Sequence, residues 1–382
     1  MVSVGLYFIQ GYMQDEQNNN STHLVRAISF YLPQYYPIPE NDGWWGKGFT
    51  EWTNVTRARP LFKGHRQPNL PADLGFYDLR VPEVREHQAA LARDAGIEGF
   101  CYWHYWFGGG RKILERPINE VIQSGKPDFP FCLCWANGSW SGVWHGAADR
   151  VLMEQHYLGE EDYRAFFLDT LPAFKDPRYI RVDGKPLFLV YSPTDIPDWP
   201  VFVATFRKLS REAGLGGFYL LGLDNKLEPT SMGLDGIAPN LPAGYWGKIP
   251  MQPGLLPKIK RQWQYRGRHI RQHWVGHPRV LPYADFVANQ PDTPLPMHEH
   301  PTVLPNWDNT PRSGQRGLVL QGATPALFGL QMEKAMSRIM HKPFEHRLLF
   351  IKAWNEWAEG NYLEPDQAFG HGWLQECRRI LK

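Results

Sequence analysis

Short apolar runs alternate with longer stretches whose apolar residues recur every three or four positions, and the alternation holds for most of the chain. The runs at 27–32, 99–103, 131–135, 186–191, 218–223, 236–238, 302–305 and 348–354 read as buried strands. The stretches 82–95, 113–123, 163–174, 202–213, 325–340 and 373–381 read as helices. In the first of these Val84, Ala89, Leu91 and Ala95 fall on or near one stripe, and Gly96 ends it. Eight strands interleaved with helices predict an α/β chain folded as a single (β/α)8 TIM barrel over residues 26–382. The rival, an open doubly wound sheet, would carry a glycine-rich phosphate loop after its first strand, where this chain has Pro33-Gln34-Tyr35-Tyr36-Pro37. Gly108-Gly109-Gly110 lacks the GxGxxG spacing. Residues 1–25, acidic and amide-rich between Gln14 and Thr22, read as a disordered N-terminal segment.

Two connections are long, 33–80 and 240–299, and both follow a strand, which assigns them to the C-terminal face where such barrels keep their active sites. Polar and aromatic residues recur just past successive strand ends. They are Tyr31, Gln34 and Tyr35, with Trp45 and Trp52 in the loop beyond; His104, Tyr105 and Trp106; Trp135 and Asn137; Asp224 and Asn225; Asn306, Trp307 and Asp308; and Asn355 and Trp357. Barrel strand ends converge on one pocket, so the recurrence carries the signal. His104, set among aromatic neighbours, reads as a partner for a substrate hydroxyl, against a satisfied polar core residue. Asp42, Glu51 and Asp73 read as loop stabilisers. The basic run 258–279 reads as a solvated helix face or a contact for an anionic glycan or lipid diphosphate.

The sharpest chemistry lies in Ala353-Trp354-Asn355-Glu356-Trp357-Ala358-Glu359-Gly360. Glycoside cleavage needs one carboxyl to protonate the leaving oxygen and a second, ionised one to supply charge or take a proton. A retaining pair sits about 5–5.5 Å apart, and two like charges so close split their proton affinities. Residues three apart on a continuing strand face opposite sides. Pairing Glu356 with Glu359 therefore requires the strand to end near Asn355 and the chain to curl into a helical turn. The competing reading is a salt-bridged surface Glu and a helix cap. The strand, the tryptophans and Gly360 favour catalysis.

Composition points the same way. Aromatic residues make up 14% of the chain, with 16 Trp, 17 Tyr and 21 Phe, more than a core needs, and flat rings suit the C–H faces of an oligo- or polysaccharide. A formal net charge of +2 gives no bulk attraction to nucleic acid or anionic membrane. No stretch reaches the roughly 20 apolar residues of a membrane span, and the start lacks the basic opening and small-residue site of a secretion signal. The chain reads as cytoplasmic. Cys101, Cys132, Cys134 and Cys377 show neither CxxC nor zinc spacing and read as buried thiols, so no metal or cofactor is expected.

Several of these motifs resemble the WbsX-type proteins of polysaccharide gene clusters. They are the segments 30–42 and 44–55, Gln67-Pro68-Asn69-Leu70-Pro71, 99–107, 128–137 and Ala353 to Gly360. The similarity runs from about Ala27 to the C-terminus. That family is similar in turn to glycoside hydrolase family 99, the endo-α-mannosidases and endo-α-mannanases, which are (β/α)8 barrels. The resemblance implies a retaining mechanism with no enzyme nucleophile. Glu356 removes the proton of the sugar 2-hydroxyl, which attacks C1 to give a 1,2-anhydro sugar, and Glu359 serves as acid and then base. The implied substrate is an α-mannoside-like linkage of a bacterial surface polysaccharide. One departure stands out: relatives read Ala-Asn-Glu-Asn-Trp after the third strand, and this chain reads Ala136-Asn137-Gly138-Ser139-Trp140. The missing acid implies a different sugar or lost activity. A glycosyltransferase is the second reading, though no nucleotide-binding loop or Asp-x-Asp motif supports it. A non-catalytic glycan-binding protein is the third.

Overall fold

The computed structural model of this chain describes residues 23–141, 151–224, 227–241 and 277–382. Eight parallel strands make the barrel: β1 Arg26–Tyr31, β2 Gly99–Trp106, β3 Phe131–Trp135, β4 Lys185–Val190, β5 Tyr219–Gly222, β6 Gly236–Ile237, β7 Thr302–Val303 and β8 Leu348–Ile351. Neighbours run in the order β6-β5-β4-β3-β2-β1-β8-β7. The ends of that path meet at Ile237, whose N–H donates to His298 O at 2.8 Å and whose carbonyl accepts from His300 N–H at 2.8 Å. This contact just ahead of β7 closes the ring, and closure removes the exposed strand edges an open sheet would carry.

Strand alternation sorts the side chains into two layers. Phe30 of β1 stacks on Trp103 of β2 at 4.9 Å and approaches Phe350 of β8 at 5.9 Å, inside the barrel. Its neighbour Tyr31 points the other way and donates to Gln88 Oε1 on helix Pro82–Asp94 at 2.7 Å. Outside the barrel, Phe166 of helix Glu160–Lys175 and Phe206 of helix Trp199–Glu212 pack on Phe188 of β4, and Phe166 also meets Trp135 of β3. Much of the aromatic surplus that composition assigned to a groove lies in this layer. Parallel barrel strands are covered on both faces, and large rings fill the gap between sheet and helices.

Several boundaries differ from expectation by two or three residues, and two of them bear on the site. The helix expected over 113–123 begins at Arg116, because Lys112–Ile113 folds back antiparallel onto Tyr105 and Trp106 and extends β2. The eighth strand ends at Ile351, three residues before the expected end, although Lys352 N–H still donates to Val303 O at 2.8 Å. All four cysteines are free and buried. Among the described residues no helix is long and apolar enough to cross a membrane. The basic run 258–279 lies outside the described residues up to 276, as do Asn225 and residues 1–22.

Candidate active site

Past β8 the chain stays pinned to β1. Trp354 N–H donates to Phe30 O at 2.7 Å. The Asn355 carboxamide clamps the backbone of Leu32, its Oδ1 accepting from the N–H at 2.8 Å and its Nδ2 donating to the carbonyl at 3.0 Å. Asn355–Glu356 then pairs antiparallel with Asn361–Tyr362, and between them Trp357–Glu359 forms one 3₁₀ turn closed by Gly360 in the left-handed region at φ 62°. In a 3₁₀ turn side chains three apart eclipse. Glu356 immediately precedes that turn and Glu359 ends it, and the two carboxyls hydrogen-bond each other, closer than the expected separation of about 5–5.5 Å.

Both carboxylates are buried and line a cavity of about 410 Å³, within the usual range of small-ligand sites. Trp103 Nε1 donates to Glu356 Oε1 at 3.0 Å. Arg312 donates from Nη1 to Glu359 Oε1 at 2.8 Å and from Nε to Glu51 Oε2 at 3.1 Å. Lys352 donates to Asn240 Oδ1 at 2.7 Å, its ammonium 5.6 Å from the Trp103 ring centre and 6.0 Å from that of Trp307.

The environment separates the two acids. Burial opposes charge on Glu356, but Lys352, the hydrogen bond from Glu359, Arg312 and the Trp103 indole together hold its carboxyl below the ordinary value. Burial and the adjacent Glu356 charge push Glu359 well above it, outweighing Arg312. The two carboxyls are thus pushed in opposite directions, Glu356 down and Glu359 up, the split expected of like-charged neighbours out of water.

The residues expected to bind substrate divide by strand parity. Gln34, Tyr105 and Trp307 line the cavity with the two acids. His104 faces the helix layer instead, stacked on Phe166 at 5.7 Å, and burial holds its imidazole neutral by lowering its value to about 4. Trp106 donates to Asp162 Oδ2 at 3.1 Å in the same layer, and Trp135 Nε1 donates to Trp106 O at 3.0 Å. Asn137 ties the loops after β3 and β4, donating to Ser192 O at 2.7 Å and accepting from Ser192 N–H at 2.8 Å. Tyr31, Tyr35, Trp52, Asn355 and Trp357 form the support behind the turn. Tyr35 OH donates to Asn355 O, Trp52 Nε1 to Tyr77 O at 2.8 Å, and Trp357 Nε1 to Glu364 Oε2 at 2.6 Å. Trp45 packs near Phe49 at 6.0 Å, outside the cavity wall. Asn306 and Asp308 line a separate cavity of about 210 Å³, where Asp308 Oδ2 accepts from His65 and Gln67, each at 2.7 Å.

Sequence reasoning passed over Trp103, Tyr191, Arg312 and Lys352, and gave Glu51 only a loop role, yet all five line the cavity. Lys352 left a signal, a cation ending an apolar strand run. Arg312 left none, since it sits in the short helix Thr310–Ser313 with no periodic context. Gly138 lines the cavity too, and a side chain there would meet nothing within 4 Å.

A family model described as Glycosyltransferase WbsX matches residues 27–377. The chain belongs to the WbsX family. Proteins called uncharacterized protein WxcX, from two strains of Xanthomonas campestris pv. campestris, are each 38% identical to it over 358 residues, which is 93% of this chain and 49% of theirs. This WbsX-family chain thus spans about half the length of the curated relatives it matches. Among solved structures, a glycoside hydrolase-like protein superposes with a TM-score of 0.57 at 14% identity, covering 94% of each chain. The family 99 endo-α-mannosidase of Bacteroides thetaiotaomicron, in complex with bis-tris-propane, does so with a TM-score of 0.52 at 16% identity, covering 93% of this chain and 95% of its own. At such identity the likeness is one of fold: the WbsX-family chain has the (β/α)8 fold of these glycoside hydrolases.

Proposed function

We propose that this WbsX-family chain is a retaining glycoside hydrolase acting on an α-mannoside-like linkage of a bacterial surface polysaccharide or its precursor. The observation that carries the reading is the buried pair at one turn, Glu356 held below and Glu359 above the ordinary carboxyl value, at the wall of a sugar-sized cavity. Glu356 takes the proton of the sugar 2-hydroxyl, and O2 forms a bond to C1. The bond from C1 to the leaving oxygen breaks, and that oxygen takes the proton of Glu359. Water then adds to C1 of the 1,2-anhydro sugar and the C1–O2 bond breaks, as Glu359 takes the proton of the water and O2 recovers one from Glu356. Retention of anomeric configuration follows from two inversions at C1. Gln34, Tyr105 and Trp307 are proposed to contact the sugar from the wall.

The test is incubation of the purified chain with α-linked mannose and rhamnose oligosaccharides, with product anomers followed by NMR. Retention is expected, and Glu356→Gln or Glu359→Gln should cut kcat by about 10²–10⁴ with oligosaccharide binding kept. Absence of cleavage by the wild type, or unimpaired variants, overturns the reading. The family's description favours a second one, transfer to an acceptor hydroxyl standing where water would. Products extended by one unit when acceptor is added would support it. Binding without turnover would support a glycan-binding role.

A further inference from the structure

We propose that Glu51, by occupying part of Arg312, settles the proton on Glu359, and that Arg312 is the positioning residue that receives the Glu359 carboxylate when that proton leaves. The proposal rests on the hydrolase reading above. Three separate loops build the arrangement. Glu51 opens the helix Glu51–Arg57 beyond β1, Arg312 sits in the helix Thr310–Ser313 beyond β7, and Glu359 ends the turn beyond β8. The Glu51 side chain is 2% exposed and that of Arg312 11%. Glu51 is fixed in turn by its backbone N–H, which donates to Gln34 O at 3.1 Å, and by Asn54 Nδ2, which donates to its Oε2 at 3.3 Å.

Charge counting supports the assignment. The ionisable groups of the cavity are Glu51, Glu356 and Glu359 against Arg312 and Lys352, with Tyr105 and Tyr191 facing them from β2 and the end of β4. Burial keeps both tyrosines neutral. Asp308 and His65, nearby along the chain, are paired with each other at 2.7 Å. Three acids and two cations are electrically neutral with one proton among the acids, and buried groups favour neutrality. Glu51 occupies part of Arg312, and Lys352 is held by Asn240. Glu359 is then left short of counter-charge and keeps the proton. When it donates, negative charge appears on a carboxyl that already accepts an Arg312 N–H, so the counter-charge is in place before the proton leaves.

The two partners of this cage have opposite signs, and so do their expected effects. Removing Glu51 releases Arg312 wholly to Glu359, so Glu51→Gln should lower the midpoint at which Glu359 gives up its proton. Arg312→Met should raise it, and Arg312→Lys should bring it back part of the way. Each shift is expected at about 1–3 pH units. The reporter is the infrared carboxylic-acid band of the full chain, titrated by difference spectroscopy and assigned to Glu359 by its loss in Glu359→Gln. On the wild-type protein this needs no turnover, so an inactive enzyme would sink the hydrolase reading and leave the arrangement testable. If the protein does cleave, the basic limb of kcat/KM should move with the band. Arg312→Met should also lose more on glycosides with poor leaving groups than on activated aryl glycosides. Shifts of one sign in Glu51→Gln and Arg312→Met, or no shift in either with folding intact by circular dichroism, overturn the proposal.

Discussion

Glu364 stands directly behind the Glu356–Glu359 turn, accepting hydrogen bonds from Trp357 Nε1 at 2.6 Å, Gln88 Nε2 at 2.6 Å and Tyr77 OH at 2.9 Å. Burial nevertheless pushes its carboxyl from 4.5 up to about 7, against those donors. A carboxyl with a native value above its unfolded one favours the folded state while protonated. That contribution is full below 4.5 and lost as pH rises through about 7. Glu364→Gln stays neutral throughout. The unfolding free energy of wild type minus variant, from urea titrations, should therefore fall as pH climbs through that window, by about 3 kcal/mol at most. A difference that stays flat with pH would show that Glu364 carries no buried proton. At this scale the two site acids were legible in the sequence, because their spacing, flanking tryptophans and closing glycine are local. Glu364 was not, since its burial depends on Gln88 and Tyr77 from distant parts of the chain.

Strand β2 shows where reading an element alone stops. Tyr102, Trp103, His104, Tyr105 and Trp106 are aromatic or nearly so at every position, so alternation has no apolar side to fix its phase. The structure sets it: Trp103 and Tyr105 line the cavity while His104 and Trp106 enter the helix layer. The turn after β8 is the opposite case. Its need to leave strand geometry follows from the spacing of the two acids, and it does so as a 3₁₀ turn. Gly360 ends that turn at φ 62°, and a Cβ there would lie 3.0 Å from Asp308 N and Cβ. Alanine in the left-handed region costs roughly 1–2 kcal/mol. Gly360→Ala should lose at least that in chemical denaturation, and kcat should fall as the turn shifts Glu359. Unchanged stability would show that the turn relaxes freely.

At the scale of the whole barrel, closure depends on β6 approaching the segment before β7 closely enough for backbone bonds. A Cβ on Gly236 would lie 2.4 Å from His298 O, whereas one on Gly138 meets nothing within 4 Å. Gly236→Ala should lower the unfolding free energy by about 1–3 kcal/mol, and Gly138→Ala should stay within about 0.5 kcal/mol of wild type. Equal effects in thermal or urea unfolding would show that the seam is not tightly packed. The eight-strand count, the barrel class and the acid pair follow from the sequence alone, because hydrophobic period, strand length and the spacing of Glu356 and Glu359 are local properties. What surrounds the pair came only with the tertiary structure. Arg312, Glu51, Trp103 and Lys352 lie on four segments that ring closure brings to one mouth, and neither their convergence nor the opposite pushes on the two carboxyls is encoded within any one of them.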